Sequence, residues 1–460
     1  MNVESRTGVR GSARVQGTNT NSLQVEPRFS APTADPIIIR PVDPSVASAQ
    51  PTRGSEGEHE SVRPLRVALY MKGFPPNETG GPIEVAHNLL RELLRTRAAH
   101  VTLIVQTDST ERDIRAALGD PEGLDVVRLG YFPSVRDFRA FRRVLAAFRA
   151  ADLIHFNEFP FRQLSYVILA KARGVPVVFS LHGLLSEEAS TFLGPSYPLR
   201  IVSGEGEAKV RAPRTLISFL VRVYRWIAPR WTAVVANSNA HAGRAARLEG
   251  FDRSRIAIIP NGVEPPSHPP VRAGDPGGPP RLLFVGKLED VKGPDLLVSA
   301  LEILGRQGYR VDVAFAGGGS LEKPLRAAAE RLENHRVVFH GSLPHEAVEP
   351  LYAWSDIVVV PSRYESFGVV VLEAMAAGRP LVATAVGGIP ENVSSPRNAI
   401  LVEPNADAIA AGIRHLIDRS DLREAMAVAN IADASERRWA TIVPRYVALY
   451  RKLTRAGSDR

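Results

Sequence analysis

The 460-residue sequence contains no cysteine, which excludes disulfides, thiolate metal sites and a cysteine nucleophile. That absence fits a reducing compartment, so we expect a cytoplasmic protein. No run of about 18 consecutive apolar residues occurs, and we therefore expect no membrane-spanning helix. The first residues, MNVESRTGVR, lack the apolar stretch of a secretory signal, so no such signal is predicted.

Several motifs of metal and cofactor sites are also missing. The chain contains neither Asp-x-Asp nor His-Glu-x-x-His. The glycine run 317–319 is followed by Glu322 at the position where a dinucleotide fingerprint needs glycine. We therefore predict no metal and no bound cofactor, and an oxidoreductase is disfavoured. No RNA-binding signature or aromatic stacking platform is present, so we expect no nucleic-acid partner.

The formal net charge of +8 indicates an anionic partner, such as nucleotide phosphates or anionic lipid. Residues 1–63 do not supply this charge, because their seven arginines are balanced by seven acidic residues. This segment is rich in Ser, Pro, Gly, Thr and Arg and has no Trp or Tyr. We predict that it is a disordered extension.

From Leu65 onwards, short apolar runs alternate with helical segments. Runs that are apolar throughout indicate strands covered on both faces, and strands separated by helices indicate parallel βαβ units. The first set of predicted strands lies at 65–71, 101–105, 125–129, 152–156, 176–180, 233–237 and 256–260. The second set lies at 281–285, 311–316, 336–339, 356–360, 380–384 and 398–402.

These patterns predict an α/β protein with two doubly wound, Rossmann-like domains. The first spans residues 64–264 and the second spans 281–438, with a proline-rich linker at 265–280. The segment 439–460 is predicted to be helical beyond Pro444 and to return to the first domain. Ligands of such sheets bind beyond the carboxyl ends of the strands, so the residues that follow each strand are the candidates for a site.

The strongest chemical signal follows the strand at 356–360. Phe367 and Gly368 open a predicted helix, and the free amides of its first turn suit a diphosphate. Glu373 lies inside this helix, where a carboxylate can accept hydrogen bonds from vicinal hydroxyls, and Glu365 lies on the loop before it. Taken alone, the two glutamates fit a solvated helix with ordinary surface glutamates better than a ligand site.

Segment 361–391 closely resembles the donor site of glycosyltransferase family 4, a retaining family with the GT-B fold, in which two Rossmann-like domains face each other across a cleft. The resemblance covers roughly residues 64–455. Further matches occur in the expected order: Gly80-Gly81, His182-Gly183, Asn261-Gly262-Val263, Val285-Gly286-Lys287-Leu288, Lys292-Gly293 and Gly341-Ser342-Leu343-Pro344. The resemblance implies a metal-independent hexosyltransferase that moves a sugar from a nucleotide-diphosphate sugar to an acceptor hydroxyl in polysaccharide, glycolipid or glycoconjugate biosynthesis.

The resemblance also implies roles for individual residues. The basic pair Lys287 and Lys292 would hold the pyrophosphate; the family commonly has arginine at the first position. His182 would contact the transferred sugar, and Glu365 would position its hydroxyls and charge. The other residues expected to bind the donor lie in glycine-rich turns and at the helix start: Gly80, Gly81, Gly286, Gly317, Leu343, Ser366, Phe367, Gly368 and Glu373.

Two alternatives stay open at this level. A nucleotide-sugar epimerase can share the fold, and it would differ by needing no acceptor. A non-catalytic nucleotide-sugar binding protein is the other, although the intact set of glutamates and lysines argues against an inactive site.

Two basic segments raise the hypothesis of peripheral docking on an anionic membrane that carries a lipid-linked acceptor. Residues 135–150 hold five arginines and one acidic residue, and residues 195–231 hold seven basic and two acidic residues. Phe138, Phe141, Leu145 and Phe148 form an apolar stripe in the first segment. The alternative is that these stripes pack on the sheet and leave the arginines solvated.

Overall fold

The computed structural model describes residues 63–75, 78, 80–129, 138–158, 164–184, 199–203, 206–210, 233–266 and 278–458. The predicted extension 1–63 therefore lies outside the described residues, apart from Arg63. The described residues all belong to one compact unit, Val62–Arg460.

The first half of this unit is built on a parallel sheet of seven strands, in the order β3-β2-β1-β4-β5-β8-β9. Most residues of its strands are apolar and buried, as expected for a sheet covered on both faces. The strands are β1 (Leu65–Met71), β2 (Ala99–Gln106), β3 (Leu124–Leu129), β4 (Leu153–Phe156), β5 (Val177–Leu181), β8 (Ala233–Ala236) and β9 (Ile256–Ile258).

Helices connect these strands: α1 (Gly81–Arg95), α2 (Glu111–Ala117), α3 (Phe138–Ala150), α4 (Leu164–Ala172) and α5 (Asn239–Glu249). Their ends follow from local sequence. Pro82 in the first turn of α1 has a φ already suited to the helix. The Ser238 side chain accepts a hydrogen bond from the His241 amide at the start of α5, and Gly250 ends that helix in the left-handed conformation.

The second half contains a parallel sheet of six strands, in the order β12-β11-β10-β13-β14-β15. Its strands are β10 (Arg281–Val285), β11 (Asp312–Ala316), β12 (Arg336–Gly341), β13 (Ile357–Val360), β14 (Leu381–Thr384) and β15 (Ile400–Val402). Its helices are α6 (Pro294–Arg306), α7 (Glu322–Ala329), α8 (His345–Trp354), α9 (Val369–Ala376), α10 (Ile389–Asn392), α11 (Ala406–Asp418) and α12 (Ser420–Ser435). The prediction of two parallel α/β sheets is confirmed.

The last helix, α13 (Trp439–Ser458), begins before Pro444, so the prediction that helix starts beyond that proline is wrong. The first turn is held by burial, because Trp439 and Val443 lie in the core of the seven-stranded sheet. Further along α13, the buried Tyr450 hydroxyl lies 2.7 Å from Nδ1 of His155 on β4. The C-terminal helix therefore packs on the first sheet.

An antiparallel hairpin, β6 (Leu199–Ser203) and β7 (Gly206–Val210), was not predicted. Its strands are short and carry charged residues, so they lack the apolar runs that reveal the other strands. None of the described helices combines the length and the apolar character that spanning a bilayer requires.

Candidate active site

Two loops meet at the carboxyl edge of the six-stranded sheet. One contains a 3₁₀ turn, Asp290–Lys292, and the other follows β13. At Gly293, where φ is +64°, a Cβ would lie 2.1 Å from the Pro361 carbonyl oxygen, so only glycine permits this approach. The Arg363 amide donates a hydrogen bond of 2.9 Å to the Val291 carbonyl. Together these contacts bring Lys292 to the residues that follow β13.

Lys292 and Glu365 form an ion pair in this position. The side chain of Lys292 is 30% exposed and that of Glu365 only 11%, so the pair is screened from water more than a surface pair would be. The Ser362 hydroxyl donates to Oε1 of Glu365 over 3.2 Å. Thr384 in turn donates to the Ser362 carbonyl over 2.6 Å, which ties the group to β14. Glu365 is thus held by two side chains.

Lys287, the other predicted phosphate ligand, is exposed. Within the described parts of the chain it forms no ion pair. The two lysines therefore differ: Lys292 has a carboxylate partner, and Lys287 keeps its full charge toward solvent.

Glu373 lies on α9 with its side chain 19% exposed. The buried Tyr352 hydroxyl donates to its Oε2 over 2.7 Å, and burial, helped by the Glu373 charge, raises the pKa of that hydroxyl well above its usual value. Tyr352 therefore remains a hydrogen-bond donor. The other carboxylate oxygen, Oε1, lies 3.8 Å from Nδ1 of His345.

Glu373 borders a cavity of about 340 Å³ between the two halves of the unit. Helix α1 supplies Glu84 and Asn88 to this cavity, and the second half supplies His345 and Glu346. Burial raises the pKa of Glu84, and the nearby Glu346 and Glu373 carboxylates add to the rise. The cavity therefore offers acceptor oxygens from both halves to a polar ligand.

The glycines predicted to bind the donor differ in the space beside their main chain. At Gly317, where φ is +143°, a Cβ would lie 1.9 Å from the Gly286 carbonyl oxygen, so this glycine lets two neighbouring turns pack together. At Gly80 and Gly81 a Cβ would meet no atom of the described residues within 4 Å. Among the described residues, Gly80 and Gly81 therefore leave space for a ligand beside the main chain, whereas Gly317 is explained by packing.

The start of α9 is formed by Ser366, Phe367 and Gly368, with Gly368 as the left-handed N-cap residue. The Phe367 side chain is only 2% exposed and lies in the core, so only its main chain is available to a ligand. Leu343 is half-buried against the same core. The Ser366 carbonyl accepts a hydrogen bond of 2.6 Å from Ser238 of the first half.

His182 follows β5 at the carboxyl edge of the first sheet. Its Nε2 lies 3.2 Å from Oδ1 of Asn157, and Asn157 donates over 2.9 Å to the carbonyl of Pro82, next to Gly81. The structure thus connects His182 to the start of α1. Burial lowers the pKa of His182 to about 4, so the imidazole is neutral at pH 7.

A buried carboxylate follows β4 at the same edge of the first sheet. Glu158 lies 3.8 Å from Nζ of Lys72, and burial raises the pKa of Glu158 to about 7. The rule that ligand-binding residues follow the strands would have found both Asn157 and Glu158, since they are the first two residues after β4.

Comparison with known proteins identifies the family of this chain. A family profile described as Glycosyltransferase Family 4 matches residues 79–266, and one described as Glycosyl transferases group 1 matches 271–432. D-inositol 3-phosphate glycosyltransferase 1 of Catenulispora acidiphila is 30% identical over 358 residues, which are 71% of this chain and 80% of the relative. The D-inositol 3-phosphate glycosyltransferase of Mycolicibacterium smegmatis is 32% identical over 67% of this chain and 68% of its own length.

The chain belongs to glycosyltransferase family 4. Solved structures agree with this at the level of the fold. Anabaena HepE in complex with UDP superposes with a TM-score of 0.63 at 21% identity, covering 84% of this chain and all of that chain (100%). Sucrose-phosphate synthase of Thermosynechococcus elongatus gives a TM-score of 0.61 at 21% identity, covering 85% and 100%. The predictions of a glycosyltransferase and of the GT-B fold are both confirmed.

Several residues of this glycosyltransferase site were missed at the level of sequence. Tyr352 contacts Glu373, and Ser362 contacts Glu365. The first contact depends on how two helices pack, and the second depends on the geometry of a loop. Ser362 lies three residues before Glu365, a spacing that suits a loop contact. No sequence spacing indicates the contact of Tyr352, because this residue lies 21 positions before Glu373 and on a different helix.

The basic segment 135–150 of the glycosyltransferase corresponds largely to α3. Phe148 is 1% exposed and packs with Phe141 in the core of the first sheet, so the part of the membrane hypothesis that relied on these aromatic side chains is wrong. Arg139, Arg142 and Arg149 are exposed. Most of the segment 195–231 lies outside the described residues.

Proposed function

We propose that this enzyme transfers a sugar, with retention of anomeric configuration, from a nucleoside diphosphate sugar to an acceptor hydroxyl. The observation that carries the proposal is the Lys292–Glu365 pair, which is held by Ser362 at the carboxyl edge of the second sheet. Open α/β sheets bind ligands at that edge. Next to it, no described side chain caps the first turn of α9, whose amides suit a phosphate group.

The diphosphate is the leaving group, and its growing negative charge needs stabilisation. Lys287 and Lys292 supply two cations after β10, and the amides at the start of α9 supply hydrogen-bond donors. Among the described residues, no group of three or more His, Asp or Glu side chains has the arrangement of a metal site. The two lysines and the amides of α9 are the observations that support our proposal that the reaction requires no metal ion.

Glu373 is assigned to the ribose of the donor. Since Tyr352 donates to Oε2, that oxygen is fixed, and Oε1 is left for a ribose hydroxyl. Glu365 is assigned to the transferred sugar, where it positions hydroxyls and stabilises positive charge at the anomeric carbon. The departing phosphate takes the proton of the acceptor hydroxyl, so no covalent carboxylate nucleophile is needed.

The first sheet is assigned to the acceptor. His182 is neutral at pH 7, so it can donate or accept a hydrogen bond at the sugar without adding charge. Its low pKa makes it a weak base, which agrees with a positioning role. Lys72 and Glu158 lie at the same edge and offer further polar contacts to an acceptor.

The comparisons suggest which ligands to test first. Structures of HepE contain UDP and UDP-glucose, and the two relatives are named for D-inositol 3-phosphate. We therefore propose a uridine diphosphate hexose as donor and a small phosphorylated polyol as acceptor. The net charge of +8 favours an anionic acceptor of this kind. We further propose a cytoplasmic enzyme whose contact with the membrane is peripheral and electrostatic.

A calorimetric screen tests the donor site. UDP, GDP and ADP are titrated into the wild-type protein and into Glu373→Gln and Glu365→Gln, with the exposed Glu333→Gln as matched control. We expect Glu373→Gln to weaken binding of the preferred nucleotide about tenfold, since a hydrogen bond to a charged group is lost. Glu365→Gln should retain nucleotide binding and lose turnover. Equal losses of nucleotide affinity in both variants would contradict the division of roles.

A further inference from the structure

The start of α5, in the first half of the chain, engages the donor loop of the second half. Ser238 donates to the Ser366 carbonyl over 2.6 Å and accepts from the His241 amide over 3.0 Å. Ser366 directly follows Glu365, so this bond acts on the main chain beside the carboxylate assigned to the sugar. A hydroxyl that serves two partners at once also fixes the orientation of α5 against the loop.

Glu391 makes the second contact. Its Oε2 accepts from the Asn239 amide over 2.8 Å, and its Oε1 accepts from the Ala240 amide over 2.7 Å. A carboxylate from the second half thus binds two free amides in the first turn of α5, where the helix dipole favours negative charge. Charge-assisted hydrogen bonds of this kind are stronger than neutral ones.

Tyr364 makes the third contact. Its hydroxyl lies 3.1 Å from Nδ1 of His241, and the guanidinium carbon of Arg244 lies 4.0 Å from its ring centroid. Burial lowers the pKa of His241 to about 4, so its ring is neutral and Nδ1 can accept from the tyrosine hydroxyl. Tyr364 directly precedes Glu365, which therefore has a neighbour on each side bound to α5.

We infer that these contacts form a clamp that positions Glu365 when the cleft is closed, and that Glu391 is its principal positioning residue. The inference rests on the proposed function, because it assumes that Glu365 addresses the sugar. The clamp joins the start of α5 to two segments of the second half: the loop that holds Tyr364 and Ser366, and the turn that holds Glu391. Opening the cleft must break these contacts together, so the geometry of Glu365 is coupled to closure.

The coupling has a further structural basis. The Glu365 carbonyl accepts from the Gly388 amide over 3.0 Å, and Gly388 lies in the same turn as Glu391. Glu391 is therefore linked to Glu365 by two routes. One is the turn that contains Gly388, and the other is the start of α5, where Ser238 binds Ser366. Among the described residues, Glu391 hydrogen-bonds Asn239 and Ala240 and no group assigned to the donor, so its loss should affect turnover more than nucleotide affinity.

Energy transfer between two introduced cysteines tests the clamp, and the absence of native cysteine makes the labelling specific. The exposed Arg149 and Arg306, one in each half, are replaced by cysteine and labelled. Glu391→Gln, Ser238→Ala and their double variant are measured in saturating UDP, with Glu333→Gln as matched control. Turnover is followed in the same variants without labels.

For Glu391→Gln we expect a second population with lower energy transfer, a roughly tenfold fall in kcat and an unchanged Kd for UDP. The double variant should lose less than the product of the single losses, because either change opens the same clamp. The clamp inference would be refuted if Glu391→Gln had the energy transfer of the wild type. It would also be refuted if the energy transfer changed while kcat stayed at the wild-type value. If the wild-type protein bound no nucleotide, the proposed function would be refuted instead. Energy transfer in the variants would still show whether the contacts with α5 hold the two halves together.

Discussion

Acidification should destabilise this enzyme through histidines that are buried without charge. His155 and His241 are both 0% exposed. His155 lies between the Tyr450 hydroxyl at 2.7 Å and the Ser180 hydroxyl at 2.8 Å, where it joins α13 to the first sheet. Burial lowers the pKa of His155 to about 3 and that of His241 to about 4, from 6.5 in the unfolded chain.

The sign and the size follow from these values. Between about pH 4 and pH 6.5 the unfolded chain binds a proton at each histidine and the folded protein does not, so stability falls as the pH falls. From pH 7 to pH 5, one such histidine costs about 2 kcal/mol of unfolding free energy. The two together cost about 4 kcal/mol, which is a large share of the stability of an ordinary domain.

Urea unfolding at pH 7 and pH 5, followed by tryptophan fluorescence, measures this cost. Trp439 is buried in α13 and reports the element that His155 anchors. His155→Gln keeps a donor and an acceptor but cannot be protonated in this range, so the difference between the two pH values should shrink by about 2 kcal/mol. His340→Gln, at an exposed position, is the control.

The absolute stability of His155→Gln does not enter the test, because only the difference between the two pH values is compared. If His155→Gln shows the same loss of stability between pH 7 and pH 5 as the wild type, then His155 is not a source of acid sensitivity. The reasoning from burial would then be refuted.

Three further predictions concern the site and the surface. Lys287→Ala and Lys292→Ala should each weaken donor use by about one to two decades, since a charge-assisted contact contributes roughly 1.5–3 kcal/mol; unchanged kinetics in both would remove the lysines from the phosphate site. Activity should survive exhaustive dialysis against EDTA, and a loss that a divalent ion restores would disprove metal independence. Anionic vesicles should bind the protein at low salt, and replacing Arg139, Arg142 and Arg149 by Gln should reduce flotation, since each cation near such a surface contributes about 1 kcal/mol; equal flotation with neutral vesicles would exclude electrostatic docking.

The two parallel sheets could be predicted from sequence because most of their strands are short apolar runs separated by helical segments. All the predicted strands of the 7-stranded and 6-stranded sheets occur within two residues of the expected ends. Strands such as β13, which is apolar at every position and fully buried, have few alternatives to a covered parallel sheet. The hairpin β6–β7 and the start of α13 were not found, since the first has mixed polarity and the second depends on burial of Trp439 against the first sheet.

Individual site residues were easier to predict than their partners. Motif and strand position pointed to Lys292, Glu365 and Glu373, but no sequence rule joined Lys292 to Glu365, which are 73 positions apart. The same holds for Glu391, whose contacts with α5 span 151 and 152 positions. Such contacts depend on how the two halves close, which local propensity does not determine.

The Lys292–Glu365 pair changes how the donor site should be interpreted under the proposed function. Sequence reasoning assigned the lysine to the diphosphate and the glutamate to the sugar, as two independent groups. Because they are paired, the site presents a nearly neutral unit beside the exposed charge of Lys287. A diphosphate that attracts Lys292 must weaken its bond to Glu365, which frees a carboxylate oxygen where the sugar would lie. Donor binding is then coupled to the placement of Glu365. The effects on activity of changing Lys292 and Glu365 should therefore not be additive.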